Sequence, residues 1–187
     1  MPDGTTPIQS YQALVQLLDR ESVMHETVAA EKSVYIPTKW NDMEGVQLIR
    51  WQDGDSVIQF IQSLPIQVPQ QRVSAVESAV VRLNHALAWQ GLDLNHQTRS
   101  LSFRLSLPLA GRDGVMPQEI MTCFRVALQT GINLVPTLRR ITAGELSEFD
   151  AVADAQKGLP QAAGPAPQAT GPTRTTSTPD RGIFQVD

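Results

Sequence analysis

Residues 91–108, with the sequence GLDLNHQTRSLSFRLSLP, decide the fold of this chain. In their second half, four apolar side chains alternate with serine and arginine: Leu101, Phe103, Leu105 and Leu107. Because a period of two places alternate side chains on opposite faces, this segment predicts a strand with one buried face. Leu92 and Leu94 begin another strand just before it. The stretch therefore predicts a two-stranded hairpin, which Pro108 closes because proline cannot donate to a sheet.

A helix precedes the hairpin. Apolar side chains recur there at intervals of three and four residues: Val73, Val76, Val80, Leu83 and Leu87. This spacing is typical of an amphipathic helix. Pro69 suits its opening and Gly91 its end.

Three further strands are predicted upstream, at residues 33–40, 46–51 and 56–64. Residues 41–45 (NDMEG) have turn chemistry, and Asp53-Gly54 supplies the positive φ of a tight hairpin. Because these links are short, the strands form an antiparallel meander. Pro65 and Pro69 end the strand region.

The first helix is predicted near the amino terminus. Thr6 can cap it and Pro7 fits its first position. Its apolar stripe consists of Ile8, Tyr11, Val15 and Leu18.

The last helix opens at Pro117 and ends at Gly144. Its apolar stripe keeps phase across Gly131 and Pro136, which predicts one long helix kinked at the proline. The stripe consists of Ile120, Phe124, Leu128, Ile132, Val135 and Leu138.

The element order is thus helix, three-stranded meander, helix, two-stranded hairpin and long kinked helix, an α+β domain over residues 7–150. Residues 1–6 are predicted to be flexible. Residues 151–187 are rich in Ala, Pro, Gly and Thr, and we expect a disordered tail because they offer little apolar surface to offset ordering entropy. Hydrophobicity returns only at the end of the tail, in Ile183, Phe184 and Val186.

Three stretches of this domain resemble the YbjN family of bacterial proteins, whose fold is similar to that of type III secretion chaperones. They are VRLN at 81–84, GLDL at 91–94 followed by LSFRLSLP at 101–108, and LVPTL at 134–138 running on to Gly144. The likeness covers most of residues 10–144 and none of the tail. Family sequences usually place a glycine in the hairpin turn, whereas this chain has NHQTR at 95–99, which implies a longer or differently shaped turn. The family is described as regulators of sensory transduction, so the resemblance implies a fold and, by analogy, a protein-binding role and a homodimer.

Charge and composition exclude several classes of protein. The net charge is −4, without the basic face that phosphate neutralisation needs, so nucleic-acid binding is not expected. No apolar run reaches the length of a membrane span, and the amino terminus lacks signal-peptide features. One cysteine cannot form an intramolecular disulfide, which favours a reducing, cytoplasmic location.

Dispersed histidines carry no ligand pattern. His25, His85 and His96 lie on a loop, a helix flank and a turn, so we expect solvated side chains and neither metal nor cofactor. Cys123 lies beside core-facing Phe124, and a structural thiol is expected.

Two other polar groups are explained by local structure. Asp53 and Asp55 flank a hairpin turn, and turn formation accounts for both. The loop at 111–114 (GRDG) lacks the lysine and spacing of a phosphate loop. We therefore expect no catalytic residue and no enzyme.

The tryptophans are candidate partner contacts. Trp40 ends the first strand of the meander and Trp51 lies near the end of the second. If residues 42–44 form the centre of the turn, Trp40 neighbours Val46 and the two rings need not touch. Large aromatics at strand ends belong either to the edge of a core or to an interface. Trp89 is expected to pack over the rim of the sheet.

The favoured function is a non-enzymatic, chaperone-like or regulatory adaptor that binds a protein or peptide segment. A ligand-sensing domain or undetected hydrolase, with a pocket near the last helix, is the alternative. Ile183, Phe184 and Val186 form a candidate docking motif, against the simpler interpretation of an unstructured end.

Overall fold

The computed structural model describes residues 6–40, 43–52, 57–89 and 91–158. Its helices are α1 (Tyr11–Arg20), α2 (Val73–Ala86), α3 (Pro117–Ala143) and α4 (Ala151–Gly158). Its strands are β1 (Glu26–Val28), β2 (Ser33–Trp40), β3 (Met43–Gln52), β4 (Val57–Gln67), β5 (Leu92–Asn95) and β6 (Ser100–Pro108). The predicted α+β order is confirmed, with β1 and α4 as additions.

Within the described residues, the six strands form one antiparallel sheet in the order β1-β2-β3-β4-β6-β5. The predicted meander is β2 to β4, and the predicted hairpin joins it through β6, whose Leu105 pairs with Phe60 of β4. β1 pairs with β2 at the opposite edge. The sequence did not reveal β1 because all three of its residues are exposed, so no hydrophobic alternation marks it.

The helices pack on one face of this sheet, here called the inner face, where α3 crosses β4 and β6. Its side chains form the core together with Leu14, Leu17 and Leu18 of α1. Inner-face residues include Val34, Ile36, Ile49, Ile58, Phe60, Leu101 and Phe103.

The start of α1 differs from the prediction. Ser10, rather than Thr6, caps the helix, because its hydroxyl accepts from the Ala13 amide at 3.2 Å. Ile8 is in an extended bridge with Val115, where the Ile8 amide donates to the Val115 carbonyl at 2.7 Å. Ile8 therefore pairs with Val115 in an extended conformation, and the helix begins only after Ser10.

Two element ends also differ. β4 continues through Pro65 to Gln67, and the β4–β6 register shifts between Leu64 and Gln67, which accommodates a residue that cannot donate. α2 ends at Ala86, well before Gly91, because Leu87 adopts an extended conformation.

The hairpin turn shows how the missing glycine is replaced. Arg99 takes the left-handed conformation, with φ 54°, that a glycine would adopt easily. The Asn95 side-chain oxygen accepts from the amides of Gln97 and Thr98, at 2.9 and 3.0 Å. The expected difference in turn shape is therefore a four-residue turn at 96–99.

The long helix predicted with an internal proline is α3, which is continuous through Pro136. Gly144, with φ 81°, ends it as predicted. Gly131 allows close approach to the sheet, since a Cβ there would lie 2.9 Å from the Cγ of Gln62.

The predicted tail boundary at residue 150 is corrected by α4. Ala151 and Ala155 are buried against α2 and α3. Asp154 accepts hydrogen bonds from Thr137 at 3.0 Å and Arg140 at 2.5 Å. Burial raises the pKa of this carboxyl. The two hydrogen bonds and the charges of Arg140 and Lys157 together lower the pKa by more, so it lies below its usual range. The composition did not reveal α4 because its buried residues are alanines.

Several predictions lie outside the described residues. They are the flexibility of residues 1–5, the Asp53-Gly54 turn with Asp55, and the tail from 159 onward with Ile183, Phe184 and Val186.

Candidate interaction surface

The sheet face opposite the helices, here called the outer face, has no helix packed on it in the part of the chain that the structure describes. The strand register aligns Tyr35, Leu48 and Ile61 in one row across β2, β3 and β4. All three are half-buried, whereas their inner-face neighbours are buried. The centre of the outer face is therefore a partly exposed apolar row.

The row continues to a corner of the sheet. Val46, 39% exposed, pairs with exposed Pro37, and Met24 beside them is 76% exposed. With Gly45 these residues line a shallow hollow of about 580 Å³. Neighbouring apolar side chains left partly in water are a feature of interaction sites.

Charged groups border the apolar row. On β6, Arg104 pairs with Ile61 in register and its guanidinium lies 3.4 Å from the Asp93 carboxylate. Lys39 and Glu44 face each other across β2 and β3. An apolar centre with a polar rim is the usual composition of a protein interface.

The two candidate tryptophans lie at opposite ends of β3 and are not brought together. Trp51 is 8% exposed, pairs with Ile58 and belongs to the core. Trp40 is half-buried, and the strand register pairs it with Met43 rather than placing it beside Val46. Its ring packs over Gly45, where a Cβ would lie 2.9 Å from it. The core-edge interpretation thus fits Trp51, and the partner-binding role of either residue stays a prediction.

Two buried glutamines lie between the sheet and α3, and sequence reasoning missed them. Gln47 donates to the Phe124 carbonyl at 3.0 Å, and Gln62 donates to the Thr38 hydroxyl at 3.3 Å. Both are fully buried, yet the Oε1 atom of each has no partner among the described residues. An unsatisfied buried acceptor costs about 1–3 kcal/mol. The available signal was the presence of glutamine at inner-face positions on adjacent strands.

Asn84 joins α2 to the hairpin, and it belongs to the VRLN stretch. Its side-chain oxygen accepts from the amides of Gly91 at 3.1 Å and Leu92 at 2.9 Å, and its nitrogen donates to the Leu92 carbonyl at 2.9 Å. Gly91 also lies against β6: the Arg104 amide donates to its carbonyl at 2.7 Å, and a Cβ at Gly91 would lie 1.9 Å from the Arg104 carbonyl oxygen. These motif residues are therefore structural.

The three histidines are in different environments. The side chain of His25 is only 8% exposed and its Nδ1 lies 2.8 Å from the Val23 carbonyl oxygen, so the expectation of a solvated side chain was wrong for it. His85 is exposed, and His96 lies 3.6 Å from Glu77. Within the described residues no cluster of His, Cys, Asp and Glu is placed to hold a metal ion.

Other candidates are also separated. Cys123 is half-buried in a hollow of about 470 Å³ that Trp89 and Leu107 also line. Burial raises the pKa of this thiol, and the Glu119 charge raises it further. Trp89 is 55% exposed. It lines this hollow together with residues at the end of β6, and so lies at the rim of the sheet, as predicted. Within the described ranges, no helix combines the length and apolarity needed to cross a membrane.

The architecture is that of a small α+β domain with helices on one face of an antiparallel sheet and an apolar row on the other. The chain belongs to the YbjN family, because the model of that family, described as "Putative bacterial sensory transduction regulator", matches residues 10–140. No curated protein matches the chain.

A solved structure supports the fold. The structure titled "Crystal structure of YbjN, a putative transcription regulator from E. coli" is 13% identical, with a TM-score of 0.51, and the match covers 81% of this chain and 95% of that chain. At this identity the likeness shows the fold alone.

Proposed function

We propose that this chain is a regulatory, protein-binding adaptor whose outer face holds a polypeptide segment of a partner. The observation that carries the proposal is the row Tyr35, Leu48 and Ile61, which the four described helices leave uncovered. The description of the family as a regulator, rather than an enzyme family, supports binding over catalysis.

The energetics favour an apolar partner segment. Fully burying a side chain of this size contributes about 1.5–3 kcal/mol, and these half-buried residues each offer part of that. The charged pairs at the border add orientation more than affinity. The outer face therefore suits a segment with several apolar side chains and polar ends.

The remaining parts of the proposal follow from the sequence. The partner is a protein segment or a second copy of the chain, the location is the cytoplasm, and neither nucleic acid nor membrane is a ligand. Trp40 and Trp51 are included as candidate contacts at the ends of β3, with Trp40 the more accessible.

The proposal is tested by replacing Leu48 with a photo-crosslinking phenylalanine analogue in the producing cell. Ser74, exposed on α2, takes the same analogue as a matched control. We expect discrete protein adducts from Leu48 and none of those from Ser74, with mass spectrometry identifying the partner. An adduct at twice the chain mass identifies a homodimer through this face. Absence of adducts from Leu48, or the same adducts from Ser74, contradicts the proposal.

A small-ligand sensor is the second candidate, and the unpartnered oxygens of Gln47 and Gln62 beneath α3 favour it. The hydrolase version has less support, because the raised pKa of Cys123 disfavours its thiolate. Native mass spectrometry of the full chain tests the sensor. A retained small molecule that Gln47→Leu abolishes supports the sensor, and a wild-type mass equal to that of the polypeptide alone rejects it.

A further inference from the structure

A second apolar surface lies on the helical side of the molecule, between α2 and α4. This α2–α4 groove has a volume of about 740 Å³ and is lined by Ser78, Val81, Arg82, His85, Ala86 and Val152. Val81 is 66% exposed, and Phe149 beside the groove is 67% exposed. Folding thus leaves two large apolar side chains in water at one site.

The charge of the groove is one-sided. None of its six lining residues is acidic, whereas Arg82 and His85 both lie on it. The Arg82 guanidinium lies 4.4 Å from the centre of the Phe149 ring, which holds the cation at the rim of the groove. A ligand that fits carries apolar side chains next to a carboxylate.

We propose that the chain's own residues 183–187, with the sequence IFQVD, dock in this groove. Residues 160–182 contain no Val, Ile, Leu, Met or aromatic residue, so Ile183, Phe184 and Val186 concentrate the large apolar side chains of that region. Asp187 supplies the carboxylate that complements Arg82.

The chain connectivity supports capture of this segment by its own domain. α4 contributes Val152 to the groove and leads directly into residues 159–182, which precede the segment. A connection of that length spans at most about 80 Å, several times the length of about 21 Å expected for α2. Because a tethered ligand meets its site at an effective concentration near the millimolar range, weak contacts suffice.

The α2–α4 groove shares none of its lining residues with the outer face. Docking of residues 183–187 in the α2–α4 groove and partner binding on the outer face can each fail while the other holds.

The test compares amide NMR spectra of the full chain with those of a triple variant, Ile183→Ser, Phe184→Ser and Val186→Ser. The three substitutions change none of the described core residues, so we expect the variant to fold as the wild type does. We expect shift differences at Val81, Arg82, His85 and Val152. Identical groove resonances overturn the proposal, and so do differences that map to Tyr35, Leu48 and Ile61 of the outer face.

A reciprocal variant separates docking from indirect effects. Val81→Asp should shift the amides of residues 183–187 to their positions in a free peptide of the same sequence. Val46→Asp, at an exposed position of the outer face, should leave them unchanged. Asp187→Asn should weaken docking, and added salt should do the same. Concentration-independent shifts support capture within one chain. Shifts that grow with protein concentration show docking to a second copy and overturn the proposal as stated.

Discussion

Replacing Asn84 with alanine should unlock the hairpin from α2. The change removes three hydrogen bonds that join the helix to Gly91 and Leu92. Each bond contributes about 1 kcal/mol net, and alanine returns about 0.5 kcal/mol of helix propensity, so the free energy of unfolding should fall by about 2–3 kcal/mol. In a chain of this size that corresponds to a decrease in Tm of about 5–10 °C.

The matched control is Asn133→Ala in α3. Asn133 makes one exposed hydrogen bond, with Gln129, so the same substitution should change the free energy of unfolding by less than about 0.5 kcal/mol. Urea unfolding followed by circular dichroism measures both. Asn84→Asp keeps the acceptor but cannot donate to the Leu92 carbonyl, and should lie between alanine and the wild type. Equal unfolding midpoints for Asn84→Ala and Asn133→Ala would refute the assignment of Asn84 as the link.

Two further predictions concern positions that hold elements together. Gly91→Ala should lower Tm more than Asn84→Ala in thermal unfolding, because the added Cβ would lie 1.9 Å from the Arg104 carbonyl oxygen. At Gly111 an added Cβ has no atom within 4 Å, so Gly111→Ala should lower the free energy of unfolding only by the left-handed backbone penalty of about 1–2 kcal/mol. A smaller loss at Gly91 than at Gly111 contradicts this close approach. The pKa of Asp154 is lowered, so its contribution to α4 docking is complete above the ordinary aspartate pKa of about 3.9 and is lost as pH falls through the lowered value. Hydrogen exchange of the α4 amides against pH should show this loss in the wild type and not in Asp154→Asn, and identical profiles would exclude the carboxylate as the cause.

Much of the architecture was predictable because it depends on local periodicity. The alternation at Leu101, Phe103 and Leu105 identified β6, and the helical spacing of Val76, Val80 and Leu83 identified α2. Turn chemistry was less predictable. The φ of 54° at Arg99 shows that a non-glycine residue takes the left-handed position when the surrounding hydrogen bonds hold the turn.

The surface was predictable only in part. The sequence identified Trp40 and Trp51 as large aromatics at strand ends, but side-chain type cannot say which face of a sheet a helix covers. Exposure of the row Tyr35, Leu48 and Ile61 depends on packing between distant elements.

By itself, the sequence determined the α+β class, the order of the predicted elements and the end of the long helix at Gly144, because periodicity and helix-terminating residues act within a few positions. Only the tertiary structure decided that β6 pairs with β4, that Gln47 and Gln62 are buried, and that α4 packs through alanines. The physical reason is that burial is a property of contacts between segments. A small or polar side chain becomes part of the interior when its neighbours bring a helix over it.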